Sequence, residues 1–520
     1  MLPRVGRLVT VLVGTVLVGV AVTALVAPRP PFTTYRQPVV VAATAAFLLV
    51  GLLVRPPPRL RRVLRSRWTP WVVAALGGWL AVVVGTSLTF PWSWDVGVAD
   101  TLSGLLHTGK PLEEFQVAYL SRYPNTHPLI AVHRAAHAVT DATGWPTHTV
   151  LVTAVGVAAG LSVLLVHALV SPVAGRVRAV AAQLVVVALV ATSPWMAVPY
   201  TDVLAMPLLT GSVVLVLRAA RRFDGWSVAY LLASAALAAG AIVLKATPAV
   251  LLVAVALVGL MLAVDEWRRW RRALAALAAT VVWVGVTLAL VSSLTASATR
   301  AVGPVPPTGL RPDARPPVLW WVANGMTPTT SAGAPPRYGG YNGVMLRAIE
   351  EMDSAQATEW AREWIEHQWA RRGLDDLTVF YLDKAAWNWG DGMFWAWGEG
   401  RDGRPETLPP ARSGVARFVH DVDGRYGRWY PLRSDLAQGL WLALLLVTGI
   451  GALRARPPSR DVTLLALTVL GITVFTLVFQ GRSRYLLTFV PLVVALGAMV
   501  RRRLGPPRRL SELRARGTAR

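Results

Sequence analysis

Twelve apolar runs of bilayer length divide this chain, and they limit its possible folds more than any other feature. They lie near 8–27, 38–54, 70–90, 147–170, 178–196, 200–218, 227–244, 248–264, 273–295, 436–453, 462–480 and 485–500. A hydrocarbon core of about 30 Å is crossed by roughly 20 apolar residues in a helix. Inside it every backbone polar group must be satisfied within the segment, which selects helices. The length of 520 residues would by itself suggest two or three soluble domains. A composition that is 54% hydrophobic and 15% charged overrules that division. The expected fold is an all-α polytopic membrane protein with about 12 transmembrane helices.

Charge then orients the spans. The net charge of +24 would point to nucleic acid in a soluble protein. Here most basic residues sit in short loops between apolar runs, where they fix topology instead. With the N-terminus in the cytoplasm, the inner segments hold 28 Lys and Arg and the short outer loops hold eight. The expectation is a multi-pass plasma-membrane protein with both termini cytoplasmic. Lys occurs only at 110, 245 and 384, so the basic residues are nearly all Arg, as in a GC-rich coding bias. There is no Cys, hence no disulfide, thiolate nucleophile or Cys metal site. Residues 1–27 hold a run long enough to span and no convincing cleavage site, so they read as an anchor and not a signal peptide.

This orientation divides the chain into five parts. Residues 1–69 form an accessory hairpin and a basic cytoplasmic loop. A transmembrane core follows at 70–296, with a large first outer loop at 91–146. A long outer segment occupies 297–435, the last spans 436–500, and a basic tail 501–520 should anchor against anionic lipid. The outer segment begins Pro-rich and extended. It has helical periodicity from Met345 to Arg372, a helix expected on the membrane surface or against the bundle. It then packs four Trp and a Phe into WNWGDGMFWAWGEG, beside Asp391 and Glu399. Aromatic faces stack on sugars and also anchor proteins at the bilayer interface, and for any single Trp here the anchor is the expected role.

Four small polar features converge on the outer face. The first is Asp95, five residues beyond Phe90, followed by VGVADTLSGLLHTGKP and YLSRYPNTHPL. The second is PYTDVLAMPL, with Asp202 at the top of a span. The third is LKATPAVLL, where Lys245 precedes a Thr-Pro break. The fourth is GRSRYLLTFVPLVVALGA, with Arg482, Arg484 and Tyr485 opening the last span. In this order, over roughly 70–500, the set resembles the GT-C glycosyltransferases, in the branch of protein O-mannosyltransferases and lipid A aminoarabinose transferases. That resemblance implies a multi-span, inverting enzyme that takes a sugar from a polyprenyl-phosphate carrier outside the cytoplasm. The first loop of that family often carries two adjacent acids, whereas here Val96 follows Asp95.

The residue types suit such a transfer on their own chemistry. An acceptor hydroxyl needs a base, and a carboxylate partly withdrawn from water serves as one. Asp95 is the candidate, with Asp100, Glu113 and Glu114 as alternatives. The leaving phosphate needs cations, and Arg grips phosphate through paired hydrogen bonds. Arg482, Arg484 and Lys245 can supply them; their ordinary reading is snorkelling at a span boundary. Asp202 reads first as a helix cap and second as a partner for an Arg or a donor hydroxyl. Tyr123, Asn125 and His127 flank a Pro-rich turn that either shapes the donor pocket or makes a rigid corner.

Other chemistries lack their signatures. His133 and His137 have metal-ligand spacing, but Arg134 stands where a zinc protease needs Glu, so no metal site is expected. No cofactor is implied, and a divalent cation is not indicated. The expected partners are a polyprenyl-phosphate-sugar donor, a glycan, lipid or protein acceptor, and the bilayer, with no nucleic acid. A transporter or flippase of lipid-linked glycans should place charged or broken segments near the midplane of several spans. A polymerase or ligase of surface glycans would share the donor chemistry.

Overall fold

The structure, a computed structural model, describes residues 1–29, 32–53, 56–221, 226–302, 309–331, 334–398, 408–455 and 458–500. The basic tail 501–520, Glu399 and the Pro-rich stretch 303–308 lie outside the described residues. Among the described residues the fold is all-helical apart from one two-stranded hairpin, Pro328–Ser331 against Ala334–Tyr338. Among the described residues, nine helices are long and apolar enough to cross a bilayer: Leu2–Val26, Thr69–Ser87, Thr147–Ala174, Thr201–Arg221, Trp226–Leu244, Thr247–Asp265, Trp270–Val302, Tyr430–Arg454 and Arg460–Val478.

Three of the twelve expected spans are short or interrupted. The second is the 17-residue helix Gln37–Leu53. The run at 178–196 is a helix only over Arg176–Val186; it loosens through a π turn at Val187–Ala191 and re-forms as a 3-10 turn at Pro194–Ala197. Pro194 supplies no N–H there, so a regular ladder cannot cross it. The last run splits into Arg484–Leu487 and Val490–Val500, with Pro491 at the break. Among the described residues an exact count of twelve spans is therefore not confirmed.

Small residues let the helices cross closely. Gly78 lies against the backbone of Gly156 and Gly160, joining Thr69–Ser87 to Thr147–Ala174. The N-terminal hairpin grips Tyr430–Arg454 in the same way, with Gly14 against Gly449 on one side and Gly439 against Ala43 on the other. In lipid, where apolar side chains gain nothing by leaving solvent, such close backbone packing is a main source of helix affinity. Arg36 adds an ion pair to Asp435 at 2.6 Å, so the hairpin is fixed to the end of the bundle.

The two long loops meet at that same end. Residues 91–146 fold into three helices, Trp94–His107, Glu114–Arg122 and His127–Thr143. In 297–435 the helical stretch is not one helix over 345–372. A short helix Gly343–Ala348 ends, and Asp353 caps a new one, Ser354–Trp389, whose first and second halves meet at Gly373 (φ 66°). Trp360, Trp364 and Ile365 pack with Trp320 and Ala323 of the helix Val318–Gly325. The Trp-rich segment departs most from expectation. Trp387, Trp389, Phe394, Trp395 and Trp397 are buried in the protein core and anchor nothing at an interface. The segment turns back into the bundle, where Asp391 supplies the hydrogen bonds that the turn needs.

Candidate functional site

A cavity of about 950 Å³ opens between the two long loops and the ends of the spans. Five basic side chains line it (Arg122, Lys245, Arg315, Arg482 and Arg484) and two acidic ones, Asp95 and Glu350. One wall is apolar, made by Ile242, Val243 and Leu244 with Val291, Phe475 and Phe479.

Asp95 lies in the first turn of Trp94–His107 and is half-buried. Both of its oxygens are engaged: Tyr119 donates to Oδ1 at 2.8 Å and Tyr200 to Oδ2 at 2.7 Å. A carboxylate has about four lone-pair sites, so each oxygen keeps capacity for a further donor. Burial and the neighbouring Asp95 charge push the Tyr119 hydroxyl far above its ordinary range, which keeps it a donor. The alternative bases lie elsewhere. Asp100 sits 3.7 Å from His133 Nδ1, and Glu113 caps Glu114–Arg122. None of Asp100, Glu113 and Glu114 is among the lining residues.

Tyr200 links the carboxylate to the cations. The Arg484 guanidinium lies 4.4 Å from the centre of its ring and the Lys245 ammonium 5.8 Å. Lys245 ends the helix Trp226–Leu244, and the Thr-Pro break after it turns its side chain toward Asp202 at 2.6 Å. Arg484 lies 3.6 Å from the other oxygen of Asp202. Asp202 thus stands inside the first turn of Thr201–Arg221, fully buried, as the counter-charge of two cations and not as that helix's cap. Its backbone carbonyl also accepts from Thr488, tying the Arg484 segment to the same helix end. Lys245 and Arg484 are both nearly buried, so they are not snorkelling residues that reach for water.

Arg482 lies between two indoles, 5.4 Å from Trp94 and 5.3 Å from Trp395. Arg337 is 5.7 Å from Trp395, and burial together with Arg482 lowers its pKa. Tyr123 and Asn125 line the cavity. The Tyr123 hydroxyl is hydrogen-bonded to Tyr341, and burial is the main cause of its raised pKa. His127 is buried behind the wall. Its Nε2 donates to the Leu120 carbonyl at 3.0 Å, and its Nδ1 lies 3.1 Å from the Thr299 hydroxyl. Burial lowers its pKa accordingly. His133 donates to the Pro199 carbonyl and His137 stacks on His107. No group of three or more His, Asp or Glu is placed to hold a metal among the described residues.

The sequence reading singled out neither Tyr119 nor Tyr200 as a partner of Asp95. Tyr200 was within reach, two residues before Asp202 in PYTD. Tyr119 carried no signal, since nothing in a nine-residue helix marks one tyrosine for a carboxylate 24 positions away.

The profile of a family described as conserved hypothetical integral membrane protein matches residues 33–503. No curated protein matches the sequence. Among solved structures, ArnT from Cupriavidus metallidurans bound to undecaprenyl phosphate aligns at 12% identity, covering 83% of this chain and 78% of that one. Its TM-score of 0.35 is too loose a likeness to carry an argument.

Proposed function

The chain belongs to that family of integral membrane proteins, and we propose that it is a glycosyltransferase of the GT-C kind. It moves a sugar from a polyprenyl-phosphate donor to an acceptor hydroxyl on a glycan, lipid or protein at the outer face of the plasma membrane. One observation carries this reading. The four polar features of the sequence, spread over nearly 400 residues, meet around the Tyr200 ring: Asp95 bonds its hydroxyl, and the Lys245–Asp202–Arg484 group packs on its face.

The geometry supports a direct displacement. The donor phosphate sits against Arg484 and Lys245 with Arg482 beside them, and the isoprenoid chain follows the apolar wall. The acceptor oxygen attacks the anomeric carbon from the side opposite the phosphate. As that bond forms, the bond from the anomeric carbon to the phosphate oxygen breaks, inverting the centre. The acceptor proton passes to Asp95, and the polyprenyl phosphate leaves as an anion held by the cations. Tyr119 and Tyr200 hold the carboxylate in place, so little reorganisation is needed as charge develops.

The test uses the purified full chain, a panel of radiolabelled polyprenyl-phosphate sugars and an envelope fraction as acceptor. Label moving onto a new product, with release of polyprenyl phosphate, is the expected result. Donor that crosses vesicles with no new glycosidic bond would replace this reading by transport.

A further inference from the structure

One fully buried carboxylate near the site has no part in the transfer described above. Asp391 accepts four hydrogen bonds: from the hydroxyls of Tyr35 and Ser483 (the latter at 2.6 Å), and from the backbone N–H groups of Met393 at 3.1 Å and Trp395 at 2.8 Å. It therefore joins three distant segments: the linker behind the N-terminal helix, the turn that follows Trp389, and the Gly481–Arg484 loop.

The turn that it holds is unusual. Phe394, Trp395 and Trp397 have φ of 52°, 64° and 69°, left-handed values that bulky L-residues avoid. Costly backbone of this kind persists where the surroundings over-determine it, and it concentrates at functional sites. Here the surroundings are visible. Trp195 donates to the Phe394 carbonyl at 2.9 Å, Trp397 donates to the Asp423 carbonyl at 3.0 Å, and Asp391 takes the Trp395 N–H. The outcome is the placement of the Trp395 ring beside Arg482. On the other side stands Trp94, also left-handed at φ 52°, next to Asp95. The same carboxylate binds Ser483, the residue between Arg482 and Arg484. One group thus fixes both the aromatic support of Arg482 and the backbone that carries it.

We propose that Asp391 is a positioning residue: through Ser483 and the Trp395 N–H it sets the Trp94–Arg482–Trp395 stack, so that Arg482 meets an anionic phosphate in the cavity in one orientation. This rests on the reading of the cavity as a site for a lipid-linked phosphate. A purely structural Asp391 would have no special coupling to Arg482, and that difference is measurable.

The experiment is a double-mutant cycle read as binding of undecaprenyl phosphate to the purified full chain, with folded fraction measured alongside. Asp391→Asn and Ser483→Ala should each weaken binding by about tenfold, the scale of a lost hydrogen bond to a charged group. In an Arg482→Ala background neither should weaken it further, because its effect acts through Arg482. In an Arg484→Ala background both should keep their full effect. Ser483→Thr, which retains the hydroxyl, should bind as wild type does. If Asp391→Asn fails to fold, the Ser483 arm decides alone. Equal losses in the presence and absence of Arg482, or wild-type binding by Ser483→Ala, would overturn the positioning role. If Arg482→Ala and Arg484→Ala themselves bind as wild type does, the phosphate reading of the cavity fails and takes the proposal with it.

Discussion

Asp202→Asn should be a strongly destabilising isosteric substitution. The carboxylate is fully buried, 2.6 Å from Lys245 and 3.6 Å from Arg484. At an effective dielectric of about 20, those separations correspond to gross attractions of roughly 6 and 5 kcal/mol. Against them stand the desolvation of three ions, several kcal/mol each, and the mutual repulsion of the two cations. The net value of the group is therefore small, but its removal is not neutral. Asn keeps the shape and removes the buried carboxylate that faces both nearly buried cations, and breaking a buried pair by removing one partner costs about 3–5 kcal/mol. The assay is the unfolding free energy of the full chain in mixed micelles titrated with dodecyl sulfate. The double variant Asp202→Asn with Lys245→Met should recover at least about 1 kcal/mol of that loss, since one of the two facing cations is removed with the carboxylate. Stability of Asp202→Asn within about 0.5 kcal/mol of wild type, as for a surface substitution, would refute the buried-triad account.

Three other outcomes follow from the same geometry. Arg484→Ala should weaken undecaprenyl phosphate binding by about 1.5–3 kcal/mol, and Arg484→Lys should recover part of it; unchanged binding in Arg484→Ala would remove the residue from the donor site. Burial lowers the pKa of His127 from its ordinary 6.5. As pH falls through that ordinary value the unfolded chain takes up a proton that the folded chain refuses, so stability present above it is lost below it. Wild type should lose stability on acidification more steeply than His127→Gln, and parallel curves would contradict this. For topology, reporters fused after Arg62 and within 310–330 should report opposite sides of the membrane, and a shared side would sink the orientation.

The fold class was legible because apolar run length is a direct physical requirement of the bilayer, so nine of the twelve runs appear as full-length helices. The other three show what run length cannot reveal. Pro194 and Pro491 break segments whose hydropathy alone reads as continuous. At the site, Asp95, Lys245 and Arg484 stood out because ionisable residues are scarce at span boundaries. Their mutual placement was not legible, because Asp202 holds Lys245 and Arg484 across 43 and 282 positions of sequence. Asp202 itself fitted the capping preference of a helix start, and a short local rule obscured a long-range partner. The Trp-rich segment misled for the same reason. Its composition matches an interfacial belt, whereas the turn is satisfied from inside by Asp391, with Trp195 and the Asp423 carbonyl also bonded to it, and four indoles are buried.

The central claim is that Asp95 takes the acceptor proton, and turnover of Asp95→Asn tests it most directly. Asn keeps the size; its Oδ1 still accepts from one of Tyr119 and Tyr200 while its Nδ2 must donate to the other hydroxyl, and the charge and the proton-accepting capacity are removed. Because that contact matters mainly in the transition state, donor affinity should be spared while turnover falls by roughly 10²–10⁴-fold. Asp100→Asn, beside His133 and away from the cavity lining, is the matched control and should retain most of the activity. Near-normal sugar transfer by Asp95→Asn at equal membrane abundance, or a collapse in Asp100→Asn instead, would contradict the account.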